Sequence, residues 1–183
     1  MIELTEPTFI LMISLILVPA YVANGMAPVF GGGKPIDLGK NFIDGKRILG
    51  DGKTIRGAVS GIVFGTFAIL VEVALVNVLV IDVFLNSTFI LFGLVIALGA
   101  IIGDLIGAFI KRRLGLARGK SVPGLDQLTF ILIAFIFAYG FTQFIPLTII
   151  TFTMLLVALI ITPFLHLLGN YVGYKIGKKR EPW

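Results

Sequence analysis

Apolar residues in this chain come in long unbroken runs, and the polar positions gather between them. A helix that crosses a bilayer needs about 20 predominantly apolar residues. Five runs approach or exceed that length: 7–27, 57–80, 89–110, 127–144 and 147–168. The last two form one apolar stretch. Gly140 and Pro146, with polar Thr142 and Gln143 between them, predict a tight turn that divides it. None of the runs alternates with period two, the mark of a membrane barrel. The pattern therefore predicts an all-α integral membrane protein, a compact bundle of five transmembrane helices forming one domain over 1–183. Two polar loops, 28–56 and 111–126, interrupt it. Glycine recurs at every fourth position in Gly57/Gly61/Gly65, Gly99/Gly103/Gly107 and Gly169/Gly173/Gly177. Small residues at that spacing let helix backbones approach closely, so all three series are expected to be packing seams.

Composition strengthens this reading. Hydrophobic residues make up 57% of the 183 positions and charged residues only 14%, against about 45–50% and 25% in soluble domains. A soluble globule has nowhere to bury so much apolar surface, and 16 Phe exclude a disordered chain. With no Cys there is no disulfide framework, zinc finger or thiol nucleophile. Any metal must be held by oxygen ligands or the single His.

The placement of charge predicts topology. Lys34, Lys40, Lys46, Arg47, Lys53 and Arg56 lie between the first two runs. Lys111, Arg112, Arg113, Arg118 and Lys120 lie between the third and fourth, and Lys175, Lys178, Lys179 and Arg180 in the tail. These are all 15 basic residues. By the positive-inside rule the amino terminus is outside and the carboxyl terminus cytoplasmic. The chain starts with Glu3 and Glu6 and no cation, so the first run is read as a span and not as a signal peptide.

The cytoplasmic segments carry the candidate chemistry. Seven glycines are spread through the first loop. They permit positive φ, with which backbone N–H groups converge on an anion. Two readings stand side by side: a phosphate cradle, or a basic loop resting on anionic headgroups. Gly52-Lys53-Thr54 resembles the end of a P-loop, but Arg47 stands where that motif needs its first Gly. Asp104 lies inside the third run, seven residues before Lys111, which is about 10 Å along a helix. An Asp within a span is costly and is a functional candidate by default, although pairing with a loop Arg is a structural alternative. Asp126 opens the fourth run on the same side. Two carboxylates flanking a cationic loop suit Mg2+, which takes a few carboxylates plus substrate phosphates. Lys111, Arg112, Arg113 and Lys120 flank these carboxylates and are candidates for phosphate binding. Lys53, Thr54 and Arg56 stand where a helix amino terminus also favours an anion. Glu72 lies about 24 Å from Arg56 and is read as interfacial or structural. His166 and Asn170 are read as packing groups.

Gly103-Asp104-Leu105, Lys111-Arg112, Pro123-Gly124 and Asp126 resemble the signature of the membrane CTP:phosphatidate cytidylyltransferases. Asn24, the segment from Gly33 through Asp37 to Lys40, and Gly50 through Lys53 and Thr54 to Gly57 look more specifically like that family's archaeal branch, the CDP-archaeol synthases. The chain departs from the bacterial and eukaryotic pattern where Leu125 follows Gly124 in place of His-Gly-Gly, and where Gln127 follows Asp126 in place of Arg. The resemblance implies Asp104, Asp126, Lys111 and Arg112 as catalytic residues, with Asp104 and Asp126 holding Mg2+. It implies substrate contacts from Asn24, Lys34, Asp37, Lys53, Thr54, Arg56, Arg113, Lys120, Pro123 and Gly124. The implied partners are CTP, an isoprenoid ether lipid phosphate and the surrounding membrane lipid, with no nucleic-acid polymer and no oligomer indicated. The implied reaction is CMP transfer to the lipid phosphate at the cytoplasmic face of the cell membrane. Two rivals are a CDP-alcohol phosphotransferase, whose Asp-Gly-x-x-Ala-Arg motif Asp44-Gly45 does not continue, and a small lipid or ion transporter.

Overall fold

The computed structural model describes residues 6–79, 87–120, 122, 124–145 and 150–175. The turn expected at 81–88 lies mostly outside them, as do Pro123, Pro146, Gly177 and the tail cations Lys178, Lys179 and Arg180. Five helices follow one another: α1 (Glu6–Val29), α2 (Ile55–Leu79), α3 (Ser87–Arg113), α4 (Leu125–Phe144) and α5 (Phe152–Lys175). All five contain stretches long and apolar enough to cross a membrane.

The bounds differ from the expected ones mainly around the fourth and fifth runs. Gly140, Thr142 and Gln143 are helical, not a turn. Thr142 Oγ1 and Gln143 Nε2 both donate to the carbonyl of Tyr139, so polar side chains are satisfied on their own helix. α4 then ends at Phe144, with Ile145 extended at φ −129°, as favoured just before a proline. α5 runs to Lys175, through Gly169 and Asn170, so these polar and small residues extend the last span and do not end it. Pro163 lies inside it, which spans tolerate.

α3 is the axis of the bundle. Half of its apolar window is buried, against 17% for α5. Phe92, Ile96, Ala97 and Ala100 of α3 interlock with Phe130, Ile131 and Ala134 of α4, Ile16, Ala20 and Ala23 of α1, and Ile69 of α2. The glycine series explain how closely these helices meet. A Cβ at Gly61 would stand 2.6 Å from the carbonyl oxygen of Ala23, and one at Gly65 2.8 Å from that of Pro19. At Gly103 it would strike the backbone of Thr129 and come within 2.7 Å of Phe130 Cα. Two series are thus seams, joining α2 to α1 and α3 to α4. The third differs. A Cβ at Gly169 meets nothing within 4 Å, because this face of α5 lines an open cleft and not a neighbouring helix.

The long first loop is ordered by its own polar groups. Ile36 donates to Lys53 O and Ile55 to Lys34 O, at 2.8 and 3.1 Å, joining the two ends of the loop. Phe42 and Lys46 are joined in a tighter turn within it. At the centre sits Asp37, buried and bound by Arg47 Nη2 at 2.7 Å and Nε at 3.2 Å. The backbone N–H groups of Gly39, Leu49 and Gly50 also donate to it, at 3.1, 3.0 and 2.8 Å. Gly39 and Gly50 take φ +82° and +90° to aim those donors, a conformation costly for other residues. The glycine-rich cradle does hold an anion, and the anion is the chain's own carboxylate.

Two results are expected. Gly103→Ala should lower the thermal unfolding temperature in detergent markedly, since overpacking against rigid backbone costs about 1–3 kcal/mol, whereas Gly169→Ala should change it little. The Arg47 guanidinium, followed by the backbone donors, holds the Asp37 carboxyl well below the usual carboxylate range. A depressed folded-state value stabilises the loop at every pH above the ordinary carboxylate value, and this is lost only as pH falls through the lowered one. Loop order should therefore be flat from neutral pH to about pH 5. Asp37→Asn should speed amide hydrogen exchange at Leu49 and Gly50 about tenfold or more at neutral pH.

Candidate active site

The site is built where α2 starts, α3 ends and α4 starts. Asp104 faces the loop end of α3 from inside the bundle. It is seven residues before Lys111, almost two full turns, so both side chains leave the same side of the helix. Lys53, the last loop residue but one before α2, donates from Nζ to both Asp104 oxygens, at 2.7 and 2.6 Å. Lys111 Nζ lies 2.6 Å from Asp126 Oδ1. The other Asp126 oxygen accepts the Val122 N–H at 3.0 Å, which closes the turn into α4. Each carboxylate is therefore neutralised by a lysine from a different element.

These groups line one cleft of about 750 Å3 at the basic end of the bundle. Its walls hold Lys53, Asp104, Lys111, Lys120 and Asp126, with Asn24 on α1 and Thr54 at the start of α2. Thr54 Oγ1 accepts the N–H of Gly57 at 3.1 Å and of Gly32 at 3.2 Å. It caps α2 and ties the end of α1 to it. Tyr21 and His166 line the same cleft from α1 and α5. Thr162 Oγ1 donates to Ala158 O, so the Tyr21 hydroxyl donates to Thr162 at 2.8 Å and joins the two helices there.

Other residues singled out from the sequence lie elsewhere. Arg112 and Arg113 do not line the cleft, because successive residues point about 100° apart around a helix. Arg112 Nη2 donates to Ala117 O at 3.4 Å. The Arg113 guanidinium stands 4.8 Å from the ring centres of both Phe42 and Phe109. It also pairs with Asp44 at 2.7 Å and donates to the carbonyls of Lys46 and Arg47. Lys46 Nζ returns a bond to Arg113 O at 3.0 Å. Arg113 thus clamps the first loop onto the end of α3. Asp37 is the loop's centre and faces no cleft. Lys34 and Arg56 line a separate groove on another side of α2. Gly124 is the amino-terminal cap position of α4, its N–H donating to Gln127 Oε1 at 3.3 Å. Pro123 lies outside the described residues.

His166 was legible only as a packing group, since nothing in its spacing relates it to Lys53 or Asp104. The structure places it on the cleft wall beside Leu165 and Gly169. Glu72 is packed against α1 near Ser14, well away from the cleft, and its Oε2 is a buried oxygen without a hydrogen-bond partner among the described residues.

The donor set suits a hard cation. Asp104, Asp126 and the Asn24 amide offer only oxygen, and no three His, Asp or Glu side chains cluster among the described residues. One or two carboxylates, completed by substrate phosphates, is the coordination Mg2+ prefers.

Comparison with known proteins agrees with this architecture. Residues 7–183 match the family model described as "CarS-like: CDP-archaeol synthase". A CDP-archaeol synthase of Methanococcoides burtonii is 46% identical over 177 residues, covering 91% of this chain and all of that protein. Those of Methanocaldococcus jannaschii and Archaeoglobus fulgidus are 42% and 44% identical, over 91% and 92% of this chain and 93% and 94% of theirs. A solved structure described as "an intramembrane enzyme for archaeal membrane lipids biosynthesis" superposes with a TM-score of 0.73 at 35% identity, over 86% of this chain and 91% of that one. The rival readings, a phosphotransferase and a transporter, give way, and the chain belongs to the CarS-like family of CDP-archaeol synthases.

Proposed function

We propose that the cleft transfers CMP from CTP to the phosphate of an unsaturated archaetidic acid, and that it does so at the cytoplasmic face of the membrane. The observation that carries this reading is the pairing of Lys53 with Asp104 and of Lys111 with Asp126 around one cleft at the headgroup end of the bundle. Cations and carboxylates are interleaved there, as the joining of two polyanions requires. The cytoplasmic assignment rests on the positive-inside rule, and that compartment also supplies the nucleotide.

In the reaction an oxygen of the lipid phosphate attacks the α-phosphorus of CTP. The bond from that phosphorus to the bridging oxygen of the β-phosphate breaks, and pyrophosphate leaves. The nucleophile is already an anion, so the site needs no general base. The barrier comes from bringing two anions together and from charge that grows on the leaving group. Lys53 and Lys111 are held at the cleft by Asp104 and Asp126, Lys120 lines it beside them, and cations so placed lower such a barrier. When bound, Mg2+ on Asp104 and Asp126 would supply further neutralisation of phosphate charge. The membrane-embedded helices keep the lipid's phosphate at the level of the lysines, and Tyr21 and His166 line the side towards α5.

Pyrophosphate release from purified protein, given CTP and a diether lipid phosphate, tests this directly. Asp104→Asn and Asp126→Asn should each abolish release while leaving the unfolding temperature close to that of the parent. Lys53→Ala and Lys111→Ala should lower kcat/KM for CTP by about a hundredfold or more, roughly 2.7 kcal/mol of transition-state stabilisation. Near-normal rates in either Asn variant would remove that carboxylate from the site.

A further inference from the structure

On another side of α2 from the cleft, the same loop makes a second basic feature. Lys34 and Arg56 stand at the head of a groove of about 530 Å3 whose floor is Val59, Val63 and Phe64. It shares no residue with the cleft. We propose that this groove is a binding site for an anionic phospholipid of the bilayer, its phosphodiester between Lys34 and Arg56 and one chain along Val59 and Val63.

Three observations support the assignment. First, neither cation is neutralised, and Arg56 is held in place. Arg56 Nε donates to Phe30 O at 2.8 Å and Nη2 to Gly31 O at 2.5 Å, which fixes the guanidinium while leaving its charge. Neither Arg56 nor Lys34 pairs with a carboxylate among the described residues, whereas Lys53 and Lys111 both do. Second, the groove has an amphipathic order that matches a lipid. The cations lie where the loop meets the span, and Val59 and Val63 run one turn apart towards the membrane interior, 56% and 58% exposed. The Ser60 hydroxyl between them is spent on the carbonyls of Arg56 and Gly57, so the floor presents no competing donor. Third, the groove's wall is stiff. Phe64 stacks on Phe30, with ring centres 4.8 Å apart, and the Phe30 carbonyl is the one that Arg56 holds. Basic residues at this level attract anionic lipid, and a pocket that also takes the chain adds apolar burial. A resident phosphodiester is favoured over the reactive phosphomonoester because no carboxylate is among the described residues that line this groove. The first loop's cations thus divide between the two cavities: Lys53 lines the cleft, and Lys34 and Arg56 line the groove.

Native mass spectrometry of the full chain in detergent tests this, with phosphatidylglycerol or phosphatidylcholine of the same chains titrated in. The expected result is one phosphatidylglycerol retained in preference to phosphatidylcholine. K34Q/R56Q should weaken that retention about tenfold or more, and V63W should weaken it by filling the groove. Because Arg56 also ties the end of α1, K34Q alone is the control for folding. Lys34 makes no ion pair among the described residues, so K34Q should unfold at the parent temperature and still lose affinity. Undiminished retention in K34Q and K34Q/R56Q, equal retention of both lipids, or loss only on Lys53→Gln would overturn the proposal. None of these results depends on turnover.

Discussion

Everything at the polar end of this bundle depends on two carboxylates that are each paired with a lysine from a neighbouring element. An Asp placed inside a span costs about 2.5–3.5 kcal/mol on insertion scales. Asp104 offsets that cost with Lys53, which reaches both its oxygens, and Asp126 does so with Lys111. The partners come from different elements: Lys53 precedes α2 and Asp104 is on α3, while Lys111 is on α3 and Asp126 on α4. The pairs that make the site electrostatically tolerable therefore also fix how three helices and a loop meet. The glycine seams serve the same end. By letting α1, α2, α3 and α4 approach at backbone distance, they bring Asn24, Lys53 and Asp126 to the walls of one cleft.

The cations divide by chemistry. Arg47, Arg56 and Arg113 are occupied with structure: a buried carboxylate, two helix-end carbonyls, and a clamp between two aromatic rings. Each uses the planar fork of several donors that only a guanidinium offers. The lysines at the cleft are compact point charges on flexible stems, Lys53 and Lys111 each paired with a carboxylate through its ammonium. Such groups can follow a phosphate without dismantling the loop. The arginines hold the scaffold, so that the lysines have a fixed cleft to face.

Much of this was readable from residue order. Runs of about 20 apolar residues have few folded outcomes, and Lys111 could be set beside Asp104 because seven residues bring a helix back to the same face. What was hidden depends on direction and on tertiary pairing. Arg112 and Arg113 adjoin Lys111 in sequence but point elsewhere around α3. The ring of backbone donors around Asp37 could not be read from order alone, because those donors come from residues two, twelve and thirteen positions later. The third glycine series has the spacing of a seam but no partner helix at Gly169, since periodicity alone cannot say which helix lies at the edge. His166 joins the cleft through tertiary packing that brings α5 to its wall, which spacing along the chain does not reveal.

The central claim is that the cleft breaks CTP between its α- and β-phosphates and keeps the CMP on the lipid. Isotope placement tests this most directly. With purified protein and a diether lipid phosphate, label from α-phosphate-labelled CTP should appear in the organic-soluble lipid, and label from the γ-phosphate should appear only in pyrophosphate. Lys53→Ala should slow both appearances together. Label from the γ-phosphate in the lipid, or α-label remaining wholly in water-soluble products, would contradict the account.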